Sequence, residues 1–174
     1  VLGGAVVNER KLAGVDKGFI EKLHQGGLFD YILVECDGSK RKPIKAAAHY
    51  EPIVPENTTR TIGVIGLDAL GQPIDEEHVH RAEIFCDVVG RRLGERLDTQ
   101  AVEELIVSPQ GLFKGVPEAS LRYVLLNKAD TAERKDYAAA IVKGLLQRSG
   151  LQLARCVIGA LAAGAVYQSA PLRC

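Results

Sequence analysis

The sequence of 174 residues contains no methionine and no tryptophan. Val1 stands where a translation product would carry its initiator, so a preceding N-terminal portion is expected. Charge of one sign is not in excess, because Lys plus Arg and Asp plus Glu both number 22. No net field draws the chain to nucleic acid or to an anionic membrane, and neither is expected as a partner. No apolar run approaches the roughly 20 residues that span a bilayer. A basic signal-peptide n-region is also lacking, which makes the cytoplasm the expected location. Cys36, Cys86, Cys156 and Cys174 form no C-x-x-C pair, which argues against a zinc site or a disulfide framework. They read as reduced thiols, three of them in apolar contexts. A Gly-Lys dipeptide is missing too, so the chain holds no G-x-x-x-x-G-K-[ST] phosphate loop.

What is present alternates between strand-like and helix-like segments, and one domain spanning residues 1–174 is expected. The pattern predicts an α/β fold, three-layer, with a mostly parallel sheet. "VDKGFIEKLHQGG" predicts a short helix capped by Asp16, with Phe19, Ile20 and Leu23 on one face. "FDYILVECDG" and "RTIGVIGLD" read as strands. "DEEHVHRAEIFCDVVG" predicts a helix capped by Asp75, with Val79, Ala82, Phe85, Cys86 and Val89 as its buried stripe. "DTQAVEELIVS" predicts another short helix, and Tyr123–Leu126 a strand. The segment "DTAERKDYAAAIVKGLLQRSG" predicts a helix with an Asp130-x-x-Glu133 capping box. "ARCVIGAL" predicts a last strand.

Two motifs carry chemistry. In "RYVLLNKAD", an apolar strand runs into Asn127-Lys128-Ala129-Asp130. An aspartate carboxylate accepts two hydrogen bonds, from guanine N1–H and its exocyclic amino group, whereas adenine offers neither donor there. Such charge-assisted bonds are worth about 1.5–3 kcal/mol each. Asparagine suits the other edge of the base, and a lysine stem can lie across the ring. In "ILVECDG" a strand delivers Glu35 and Asp37 to its end, as a Mg²⁺-phosphate site requires, and Gly38 lets the backbone approach a phosphate. The spacing Glu35-x-x-Gly38 also fits metallochaperone-type GTPases, although no Cys or His cluster offers a delivery site. His78-x-His80 on a helix would point its side chains about 200° apart, which argues against a metal there.

Four stretches taken together resemble the YqeC family: "VECDGSKRKPIKAAAHYEPIVPENTT", "IGVIGLDALGQPIDEEHVHRAEIF", "SPQGLFKGVP" and "LLNKAD". They run in order from about Gly3 to about Leu161. The resemblance implies a phosphate-loop (P-loop) NTPase-like fold, here incomplete at the N-terminus, where relatives carry a Gly-Lys-Thr loop. It also implies an accessory role in making or inserting a selenium-containing molybdenum cofactor. Mg²⁺ and GTP or ATP are the implied cofactors, and a molybdenum hydroxylase or its cofactor is the implied client. The matching positions are Glu35, Asp37, Gly38, Lys45, His49, Glu51, Asp68, His80, Arg81, Lys114, Asn127, Lys128 and Asp130. Ala47 and Ala82 stand where prolines are expected. Of the matching positions, Glu35, Asp37, Lys45 and His49 are the catalytic candidates, with Glu35 and Asp37 also the metal candidates. Gly38, Lys114, Asn127, Lys128 and Asp130 are the nucleotide-binding candidates. Lys45 would meet a phosphate or an acidic cofactor, His49 would transfer a proton or hold a metal, and glycine-flanked Lys114 would be presented to an anion. A non-catalytic scaffold or cofactor-carrying chaperone is the rival expectation.

Overall fold

The computed structural model describes residues 3–4, 6–8, 11–150 and 152–171, so Cys174 lies outside the described residues. The chain opens with two short antiparallel strands, β1 (Val6–Asn8) and β2 (Lys11–Leu12). Helix α1 (Lys17–Gln25) follows, and the Asp16 carboxylate accepts from the Gly18 amide at 2.8 Å, the cap its sequence predicts. Its apolar face finds no core, since none of its residues is buried.

The main sheet is built from β4 (Arg60–Gly66), β6 (Leu121–Asn127), β7 (Arg155–Ala160) and β8 (Ala165–Pro171), in that spatial order. The first three are parallel and β8 is antiparallel. The sheet is therefore mostly parallel and the fold is α/β. A small parallel pair joins β3 (Ile44–Lys45) to β5 (Val79–His80). Three further helices are α2 (Ala82–Val89), α3 (Thr99–Val107) and α4 (Ala132–Leu146).

Alternation along the strands decides where the core sits. Gly63 and Ile65, Val124 and Leu126, Cys156 and Ile158 face one way and are buried. Phe85, Leu105, Ile141 and Leu145 pack in the same cluster. Gly63 is glycine for a spatial reason: a Cβ there would lie 2.5 Å from Leu112 side-chain carbons. The partners of these residues on the opposite face include Ile62 and Val64, which are 63% and 53% exposed. Among the described residues the fold has helices against one face of the sheet, two layers where three were expected.

Other departures have local causes. Residues 29–38 form no strand; Tyr31 is 83% and Leu33 94% exposed. A strand needs a neighbour for its backbone groups, and the main sheet ends at β4 without reaching this run. Helix α2 starts at Ala82 and not near Asp75, because the Asp75 carboxylate accepts from the Glu77 and His78 amides and turns the chain. Val79, expected on the helix stripe, is buried in β5 instead. Glu76 then accepts from the Ala82 amide at 2.8 Å, taking the role of a cap. Helix α4 is capped by Thr131, which accepts from Arg134, one residue after the Asp130 expected there. Cys86 and Cys156 are buried thiols and Cys36 is half-buried, all three free. Burial pushes the Cys156 thiol up to about 12. No helix among the described residues is long and apolar enough to cross a membrane.

Candidate functional site

Parallel strands end together, so the carboxyl ends of β4 and β6 gather the residues that follow them. Gly66 and Asn127 are register partners there. Beyond β6 the chain turns through Lys128, whose φ of 63° lies in the left-handed region. Three ties hold this turn. The Asn127 side-chain oxygen accepts from the Leu161 amide at 3.1 Å, and the Ala129 amide donates to the Gly159 carbonyl at 3.0 Å. The Lys128 ammonium meets Asp68, beyond β4, at 2.6 Å. Ala129 is thereby buried while Asp130 is left exposed. Asp130 accepts from Arg134 at 2.6 Å, and that hydrogen bond holds its carboxyl below the ordinary range. The second Asp68 oxygen is buried and has no hydrogen-bond partner. Gly66 admits this geometry, since a Cβ there would lie 2.6 Å from that oxygen.

A second polar cluster lies in the loop around β3. The Lys45 ammonium is bonded to Asp37, to the Gly38 carbonyl at 3.0 Å and to Glu51 at 3.2 Å. Arg81 bonds the same Glu51 at 2.8 Å and reaches the Ala46 carbonyl at 3.5 Å. Burial raises the Glu51 carboxyl, but Arg81 and Lys45 outweigh it and hold the group down at about 2. Arg81 itself sits at φ 61°, a strained setting for a side chain this large. The Lys114 ammonium donates to the Ala48 carbonyl at 2.6 Å, fastening the far side of the loop. His80 is buried in β5; burial first, then Arg81 and Lys45, lowers its pKa.

The structure thus brings Asp37, Gly38 and Lys45 together with Glu51 and Arg81, with Lys114 tied to the same loop. It brings Asn127, Lys128 and Asp130 together at the sheet end with Asp68. The two clusters are joined by the Gly66 amide, which donates to the Pro43 carbonyl at 2.8 Å. Glu35 and His49 belong to neither. Glu35 is exposed, and His49 is exposed with its ring edge-on to Tyr50 at 4.9 Å. Asp68, Glu51 and Arg81 matched the resemblance but received no role from the sequence. Their signal was a charged residue set just after an apolar run or before a helix, which names no partner.

The donor sets differ in what they can hold. Asn127 and Asp130 offer an amide and a carboxylate suited to a ring carrying adjacent N–H donors. Asp37 is bound by the Lys45 ammonium, and Glu35 is exposed apart from that cluster. Among the described residues no group of three or more His, Cys, Asp or Glu is arranged for a metal ion. His78 and His80 do not converge either: His78 bonds Asp75 at 2.8 Å in the turn.

The family described as YqeC protein matches residues 1–83. A curated relative, "Uncharacterized protein YqeC" of Escherichia coli (strain K12), is 32% identical over 140 residues. That match covers 80% of this chain and 55% of the relative, so the chain spans about half the length of the protein it resembles. No solved structure matches.

Proposed function

The chain belongs to the YqeC family, and from that premise we propose that it is the base-reading part of a nucleotide-dependent accessory protein. The role is in the biosynthesis or insertion of a selenium-containing molybdenum cofactor, with a molybdenum hydroxylase or its cofactor as client. The observation that carries the nucleotide reading is the turn after β6. Asn127 and Lys128 are each anchored to a neighbouring strand end, and Asp130 is left at the surface of the sheet's carboxyl edge. That edge is where open α/β sheets bind ligands.

In this reading Asp130 accepts the guanine N1–H and amino group, releasing Arg134, while Asn127 braces the turn. GTP is favoured over ATP because only guanine presents two donors to one carboxylate. The phosphates belong to residues outside these 174. Lys45, drawn off Asp37 by a phosphate, would leave that carboxylate open to a cation, which is how Mg²⁺ would be accommodated. The rival reading, a non-catalytic scaffold or carrier, is favoured by one observation: every charged group of the Asp37–Lys45–Glu51–Arg81 cluster is already satisfied within the chain.

The deciding experiment is nucleotide titration of a family protein at the full length of the relatives. Unsubstituted protein binds GTP in preference to ATP and XTP. Asp130→Asn replaces an acceptor by an amide that can donate to the xanthine oxygen. It weakens GTP by about 10–100-fold, the loss of one charge-assisted bond, and improves XTP. Unmoved GTP and XTP affinities would remove the base-reading assignment. Magnesium-dependent hydrolysis by the same protein would count against the carrier reading.

A further inference from the structure

The bare face of the sheet and its open edge belong to one unfinished surface. Along β4 the Thr59 carbonyl accepts from Leu121, so its alternate residues turn their backbone groups toward β6. Arg60, Ile62, Val64 and Gly66 therefore turn theirs toward the other edge. Only the end of that edge is met, by the Pro43 carbonyl on the Gly66 amide, and no strand pairs with it among the described residues.

The side chains of β4 do not fit an edge strand. Edge strands are blunted by charge, proline or a bulge. β4 instead runs Ile62-Gly63-Val64-Ile65-Gly66, apolar on both faces as in the interior of a parallel sheet. Its register continues the apolar row across the bare face, with Val64 beside Leu125 and Leu125 beside Val157.

A second unpaired element stands close in sequence to that same edge. Residues 29–36 are strand-like in composition and end seven residues before Pro43, the residue that touches Gly66. Leu28, Phe29, Tyr31, Leu33 and Val34 are all exposed. On the sheet itself Ile62 and Val64 are exposed as well, and large uncovered apolar side chains in runs mark surfaces that pack against something.

We propose that β4's open edge and residues 29–36 are the two sides of a slot for one further β-strand, and that an apolar helix joined to that strand covers the Val64–Leu125–Val157 face. The occupant is polypeptide of the same protein outside these 174 residues. Chain is available for it, because 55% of the E. coli relative's length is matched here and the remainder is not. A parallel strand between the two would bond the backbone of Arg60, Ile62 and Val64 on one side and that of residues 29–36 on the other. The connection between parallel neighbours is long and usually helical, which supplies the cover for the bare face.

Amide hydrogen exchange tests this on two proteins, the 174-residue chain and the same chain extended to its relatives' full length. The slot predicts that residues 29–36 and the amides of Ile62 and Val64 exchange about 100-fold more slowly in the longer protein, with β7 unchanged. Equal exchange in both proteins overturns it. So does protection in the short chain that grows with concentration, because the occupant is then a second copy. Val64→Glu gives an independent reading: tolerated on the bare face of the short chain, it lowers the melting temperature of the long one. Equal tolerance in both also overturns the proposal.

Discussion

Two nine-residue runs of this chain invite comparison, FDYILVECD at residues 29–37 and RTIGVIGLD at 60–68. Each is apolar through its middle and ends in an aspartate, and each aspartate is bound by a lysine, Lys45 or Lys128. The second run forms β4 and sends Ile65 into the core, whereas the first forms no strand and leaves Leu33 in solvent. Composition does not separate them. The second has β6 as a neighbour to take its N–H and C=O groups, and the first has none among the described residues. A strand is a property of the pair, and side-chain pattern reports only which face it would bury.

The comparison can be broken at several points, and the largest effect is expected in the core. Ile65→Ala removes a side chain that is 1% exposed and should cost about 2–5 kcal/mol by urea unfolding. A loss well below that would place β4 in a softer setting than its burial indicates. The ion-bonded loop comes next. Glu51→Gln leaves Arg81 and Lys45 without their shared carboxylate and should cost about 2 kcal/mol.

The pH dependence of stability carries the same information. Glu51 titrates at about 2 in the fold against 4.5 when free, so its contribution is complete above pH 4.5 and is lost as the pH falls toward 2. His80, held below its ordinary 6.5, adds a loss that begins as the pH drops through 6.5, because the unfolded chain takes the proton first. Because Asp75, Glu76 and Asp130 are lowered too, the acid-unfolding curve for Glu51→Gln should show a shallower lower limb with the upper limb kept; an unchanged lower limb would refute the Glu51 assignment. The smallest effect belongs to the exposed run. Leu33→Ser in the 174-residue chain should shift stability by less than about 0.5 kcal/mol, and a larger loss would mean that residues 29–37 pack in solution.

The sequence was most legible where local chemistry and burial agree. Asp16 caps α1 as its position predicts, and Ala82, Phe85, Cys86 and Val89 are buried along α2 as the stripe read from that segment. It was least legible where one side chain chooses among close alternatives. Asp75 can cap a helix or close a turn, and the turn won because its carboxylate reaches the Glu77 and His78 amides together. β8 went unread, since its segment becomes a strand by pairing with β7. For the site, Asn127 to Asp130 stood out as a motif. Asp68 did not, because its meaning comes from Lys128, 60 residues away in the chain.

One buried group also makes the sheet a timekeeper. Cys156 lies in β7 between β6 and β8, with its thiol pushed up to about 12. The thiolate is the form that attacks an alkylating reagent, so this sulfur is silent as long as the strands stay together. Its rate of modification counts the moments when the sheet comes apart, against the quicker reaction of half-buried Cys36 in the same tube.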